Sequence, residues 1–64
     1  MINYYRVQIK RNLNKPMTYS ELWNLLNISR GLLNYHLNIL KRDLEIKSHE
    51  DIRNNRKIAI YERC

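Results

Sequence analysis

Between Ser29 and Leu40 the chain reads SRGLLNYHLNIL, with leucines at Leu33, Leu37 and Leu40. On a helix turning about 100° per residue these three fall on one stripe, with Leu32 and His36 along its margin. The opposite side carries Gly31, Asn34, Tyr35, Asn38 and Arg42, and no acid or large aliphatic residue stands at its centre. Upstream, Ile2, Tyr5, Ile9 and Leu13 recur at helical spacing and predict a first helix over residues 2–14. Tyr4 and Val7 sit roughly opposite that stripe, where a monomeric helix should be polar, and a second copy of the chain is the simplest partner for them. Leu22, Leu25 and Leu26, with Trp23 beside them as partial core, predict a helix over residues 19–26.

Stop and start signals agree with these stripes. Lys15-Pro16 ends the first helix, because proline cannot continue the hydrogen-bond ladder and disfavours helical backbone before it. Thr18-Tyr19-Ser20-Glu21 fits a capping box, and Ser29 caps the next helix after the short connection Asn27-Ile28-Ser29, with Ile28 pointing into the angle between helices. The last helix fades at Lys41 to Asp43. Beyond it the period falls to two: Leu44 and Ile46 alternate with Glu45 and Lys47, and Ile58 and Ile60 with Ala59 and Tyr61. Two half-buried strands follow from that pattern, joined at a tip over residues 51–55 by the turn formers Asp51, Asn54 and Asn55. The fold class is mainly α, three helices plus a β-hairpin, in one domain spanning residues 1–64.

Charge narrows the function. Twelve Lys and Arg against six Asp and Glu give a net charge of +6 and a pI near 9.8, which favours a polyanionic partner. Amides, a phenol and guanidinium groups on an apolar-backed helix supply donors and acceptors for base edges in a major groove. Arg30, Gly31, Asn34, Tyr35, Asn38, Lys41 and Arg42 are therefore the candidate base-reading surface. Arg53, Asn54, Asn55, Arg56 and Lys57 form an acid-free run at the hairpin tip suited to phosphate or minor-groove contacts. Lys10, Arg11 and Lys15 are further candidates for phosphate contacts. His36 is either a hydrogen-bonded residue at the core edge or a phosphate or base contact.

Other classes find little support. Only one glycine is present, no two carboxylates are placed for acid and base work, and the single cysteine, Cys64, forms no nucleophile pair or intrachain disulfide. The expectation is a non-enzyme that needs no cofactor, metal or small-molecule ligand. No apolar run approaches the roughly 18 residues of a membrane span, and no signal-peptide pattern follows Met1, so a cytoplasmic, nucleoid-associated location is expected. A protein-docking domain of the same shape would call for a neutral or apolar face in place of the amide-rich one. RNA binding by the same basic surface is the third reading.

The order helix, helix-turn-helix, basic hairpin resembles the winged helix-turn-helix transcription regulators of the broad ArsR- and MarR-like group. The run MTYSELWNLLNISRGLLNYHLNILKRDLEI carries the resemblance, with Thr18, Glu21, Leu22, Leu26, Ile28, Ser29, Leu33, His36, Leu37 and Leu40 at the places of the group's motif. It implies a major-groove recognition helix from about Arg30 to Arg42, a β-hairpin wing, and regulation of transcription through double-stranded DNA; repression by occluding a promoter is the expected mode, because no second domain is there to contact polymerase or sense a ligand. The chain departs from the pattern at the corner before the wing, where Leu44 stands near the usual glycine. It also lacks the group's cysteine-rich metal-sensing segment and C-terminal dimerisation helix, so a homodimer is expected to form through Tyr4 and Val7 of the first helix. Winged helices that grip left-handed nucleic acid share the Asn and Tyr of the helix, but their Pro and Trp wing signature is missing here. So compact a regulator also resembles those encoded by viruses or plasmids of archaea.

Overall fold

The structure, a computed structural model, describes residues 3–64. Helix α1 (Tyr4–Asn12) starts where Asn3 turns its side-chain Oδ1 to the backbone N–H groups of Tyr5 and Arg6. That cap satisfies donors left free at a helix start, and it places the start later than the apolar stripe alone indicates. Ile2, counted in that stripe, lies outside the described residues. The helix also ends earlier than expected, with Leu13 as C-cap, three residues ahead of Pro16.

A two-residue strand β1 (Met17–Thr18) comes next and was not visible in the sequence, being too short to show a period. Thr18 doubles as the N-cap of α2 (Tyr19–Leu26): its hydroxyl accepts from the Glu21 N–H at 3.1 Å while the Glu21 carboxylate accepts from the Thr18 N–H at 3.0 Å. Tyr19, Leu22, Trp23 and Leu26 pack at the core. Leu25, expected among them, is 50 % exposed. The packed arc is centred between Leu22 and Trp23, and Leu25 falls about 110° off it on the helical wheel. Asn27 closes α2 in left-handed backbone at φ 54°, and Ile28 packs against the core as expected.

Helix α3 (Arg30–Arg42) is capped by the Ser29 hydroxyl, which accepts from the Leu32 N–H. Its buried stripe is Leu33, His36, Leu37 and Leu40. With Ile9 of α1, Leu13 at its C-cap, Leu22 of α2 and Ile46 of the sheet, the three leucines form the apolar core. Leu44, expected to begin a strand, lies instead in the turn that stops α3, at φ 59° and 78 % exposed. The Leu44 N–H donates to the Lys41 carbonyl and the Glu45 N–H to the Leu40 carbonyl, the paired bonds of a Schellman cap. A left-handed leucine is disfavoured by about 1 to 2 kcal/mol, and a glycine would lose part of that gain to its freer unfolded state. Leu44→Gly is thus expected to raise stability by up to about 1 kcal/mol, read as a higher thermal midpoint. A lower midpoint would show that the leucine side chain matters more than its backbone.

Strands β2 (Ile46–Arg53) and β3 (Arg56–Arg63) pair antiparallel from Ile46↔Arg63 to Arg53↔Arg56, and β1 adds to the other edge of β3 through Thr18↔Ile60. The strands run further than expected, leaving only Asn54 and Asn55 in the turn. Their φ angles of 51° and 63° are those of a type I′ connection, whose twist matches the strands and which asparagine tolerates. Directly opposed residues share a face, so Ile46 and Tyr61, which pack on the helices, define the inner one. Ile58 and Ile60, expected to point inward, therefore lie on the reverse face. Ile60 is nonetheless buried there, on the central strand between Thr18 and His49.

Candidate nucleic-acid interface

Seven residues of α3 were expected to face a ligand: Arg30, Gly31, Asn34, Tyr35, Asn38, Lys41 and Arg42. All seven are exposed, while the stripe behind them is buried. The leucines that anchor the helix in the core thus fix the orientation of its polar side. A Cβ built on Gly31 would meet nothing within 4 Å, so no contact inside the protein requires glycine there. Arg30 is held over the Trp23 ring, its guanidinium carbon 4.4 Å from the centroid. The indole N–H of Trp23 is occupied in turn, donating to the Ile28 carbonyl at 2.7 Å. Trp23 therefore serves as packed support for the first turn of α3. At the far end, Arg42 makes an exposed ion pair with Asp43 at 3.4 Å.

His36 is 2 % exposed, which removes it from the contact surface and places it at the core edge. The hydrogen bond expected there is missing for Nδ1, which is buried without a partner among the described residues. Aromatic rings surround it instead: Tyr5 at 5.6 Å between centroids and Tyr35 edge-on at 5.2 Å. Tyr4 adds to the run, edge-on to Tyr5 at 5.7 Å. Tyr35 thus shields His36 with one part of its ring while remaining 59 % exposed.

Burial, and secondarily the positive charge of Arg6, holds the His36 pKa below the ordinary 6.5. The folded state then favours the neutral ring and the unfolded chain binds more protons. Stability is complete above about pH 6.5 and declines as the pH falls through the lowered folded value. The thermal midpoint is expected to drop between about pH 7 and pH 5, before most carboxylates titrate, and His36→Gln should flatten that slope. An unchanged slope in the variant would assign the effect elsewhere.

The hairpin carries the second set. Arg53, Asn54, Asn55, Arg56 and Lys57 are all exposed around the turn, but Arg53 and Lys57 belong to strands and not to a loop. The acid-free run has an acidic neighbour in space: Arg53 Nε lies 3.4 Å from Asp51 Oδ2. Ile52, a 70 % exposed aliphatic residue within this basic tip, gave no signal in the hydrophobic pattern. Lys10, a candidate phosphate contact, is committed elsewhere, bound to Glu45 Oε1 at 2.7 Å across the helix–sheet corner. Of the expected dimer pair, Tyr4 is 68 % exposed. Val7 is half-buried and lines an open groove of about 470 Å³ with Arg6, Lys10, Ile39 and Leu40. Among the described residues no group of three His, Cys, Asp or Glu is placed to hold a metal ion, and no helix is long and apolar enough to cross a membrane.

No family model and no curated protein sequence matches the chain. Among solved structures, the transcriptional regulator homologue protein from Pyrococcus horikoshii OT3 superposes with a TM-score of 0.87 over 97 % of this chain, at 23 % identity. The fold is a winged helix. The chain spans 63 % of the length of that protein. In this winged helix, α2 and α3 are the helix-turn-helix, and the β2–β3 hairpin is the wing. Likeness at this level of identity concerns the fold alone, since one fold hosts several functions.

Proposed function

We propose that the protein is a sequence-specific double-stranded DNA-binding regulator of transcription, reading the major groove with α3 and gripping backbone or minor groove with the wing. One observation carries the reading: Gly31, Asn34, Tyr35, Asn38 and Arg42 stand exposed on the side of α3 opposite the buried leucines, with the exposed Arg30 and Lys41 flanking them. A helix that is amide-rich outward and rigidly seated inward can present bidentate donors and acceptors to base edges. A protein-docking helix would bring an apolar surface there, and Tyr35 alone does not make one. The name carried by the Pyrococcus protein agrees with this reading. Repression is the mode assigned, because occluding a promoter requires only tight binding across it. A cytoplasmic, nucleoid-associated location accompanies that role, and no cofactor or metal is needed for it.

The regulator is assigned a homodimeric state through α1. Tyr4 projects into solvent and Val7 lines an open groove, so a second copy has both a protruding ring and a recess to meet. Two-fold pairing there would set the two α3 helices about 34 Å apart, one turn of DNA. Selection from a random duplex pool should return an inverted repeat. The double variant Tyr4→Glu with Val7→Glu should sediment as a folded monomer with strongly reduced affinity for that site. A wild type that is monomeric at high micromolar concentration, and binds one asymmetric site as a single copy, would remove the dimer and leave α3 as the reading element.

A further inference from the structure

We propose that Ile52 is an apolar wedge with which the wing reads the deformability of a minor groove, favouring a flexible pyrimidine–purine step over a stiff one. This rests on the duplex-DNA reading above and adds a specificity-determining residue to it. Ile52 lies one residue pair from the turn and is 70 % exposed, so the core has no claim on it. Its surroundings set it apart from the other exposed apolar side chains: Lys57 lies opposite it on the same face, and Arg53, paired with Asp51, and Arg56 lie on the reverse face of a tip whose residues 52 to 57 include no acid.

The geometry of the ribbon gives the wedge its direction. The Arg53↔Arg56 pair closes the two-residue turn, so Ile52↔Lys57 is the next, non-hydrogen-bonded pair, whose side chains approach most closely on a shared face. Arg53 and Arg56 lie together on the other face. The outward Ile52 N–H is taken by Asp51 Oδ1 at 2.9 Å, which fixes the backbone at this edge position. Because both turn residues adopt left-handed backbone, the turn is as short as a hairpin allows; a minor groove about 6 Å across is too narrow for the ribbon itself, so side chains near the tip, not the strands, are what would enter it. Cations on both faces can hold the phosphates of the two DNA strands while the aliphatic group meets the base step between them. Apolar residues used in this way partly unstack a step, and flexible steps such as TA resist least. The β-branched shape of Ile52 would satisfy the strand by itself, but threonine supplies the same shape without the apolar tip.

Ile52→Thr is therefore the deciding variant. Binding is measured by fluorescence polarisation on the duplex selected from a random pool, with the step beneath the wing either TA or GG, and with 2-aminopurine at that step as a stacking probe. The wild type should prefer TA by about tenfold and brighten the probe. Ile52→Thr should lose most of that preference and the brightening, while keeping discrimination at the positions read by α3. Lys57→Ala should weaken both duplexes alike and retain the preference. An Ile52→Thr protein that keeps the wild-type preference overturns the wedge, as does a wild type that binds its site without any preference at the step. A wild type with no preference for any duplex sequence overturns both the wedge and the DNA reading beneath it.

Discussion

Leu37→Ala is expected to destabilise the domain by about 2 to 5 kcal/mol, the sum of the forfeited transfer energy and the cavity left behind. Leu37 is 1 % exposed and sits in the middle of the α3 stripe, between Leu33 and Leu40, where α1, α2 and the sheet converge. A chain of 64 residues has a total stability of roughly 3 to 10 kcal/mol, so the loss takes a large share of it. The thermal midpoint should fall by more than about 10 °C, followed by circular dichroism. Leu25→Ala supplies the contrast, since the same atoms are removed from a half-exposed site and the change should stay below about 1 kcal/mol. Equal shifts for the two variants would mean that α2 and α3 are not oriented as described.

The second large effect concerns recognition. Asn34→Ala or Asn38→Ala should reduce the preference for the selected site over random duplex by about 1 to 3 kcal/mol for each bidentate pair of hydrogen bonds removed. Both side chains are exposed on α3, so their removal should leave the fold intact. Lys57→Ala acts on a different term: it should weaken selected and random duplexes together and lower the salt dependence by about one phosphate's worth. The same pattern of weakening from the asparagines and from the lysine would contradict the division between base-reading helix and backbone-gripping wing.

Much of this arrangement was legible in the sequence because it follows from periodicity and caps. The α3 leucines, the Thr18–Glu21 capping box and the Ser29 cap each depend on residues four or fewer positions apart, and all three are found as read. The exposure of the seven α3 residues follows from the same stripe.

What escaped depends on contacts between distant segments. Met17–Thr18 is a strand only because β3 lies beside it. The inner face of β3 carries Tyr61 and not Ile60, because pairing with Ile46 sets the phase and hydropathy alone favours the isoleucine. Leu25 is turned out of the core by a rotation of α2 through part of a turn, which a three-leucine stripe cannot specify. Leu44 misled because leucine in left-handed backbone is rare, and only the bonds to Lys41 and Leu40 reveal the cap. In the candidate interface the aromatic enclosure of His36 and the Lys10–Glu45 pair each join α1 to a segment about thirty or more residues away, beyond the reach of local pattern.

Binding of the wild type to duplex DNA tests the central claim most directly. Affinity is measured for the selected site, for a scrambled duplex of the same length and for single-stranded RNA, across a series of salt concentrations. The expected result is that the selected site binds at least about 1,000-fold more tightly than the scrambled duplex. Affinity for both duplexes should fall steeply with salt, and the RNA should bind no better than the scrambled duplex. Equal affinity for selected and scrambled duplex, or tightest binding to the RNA, would contradict a base-reading role for α3.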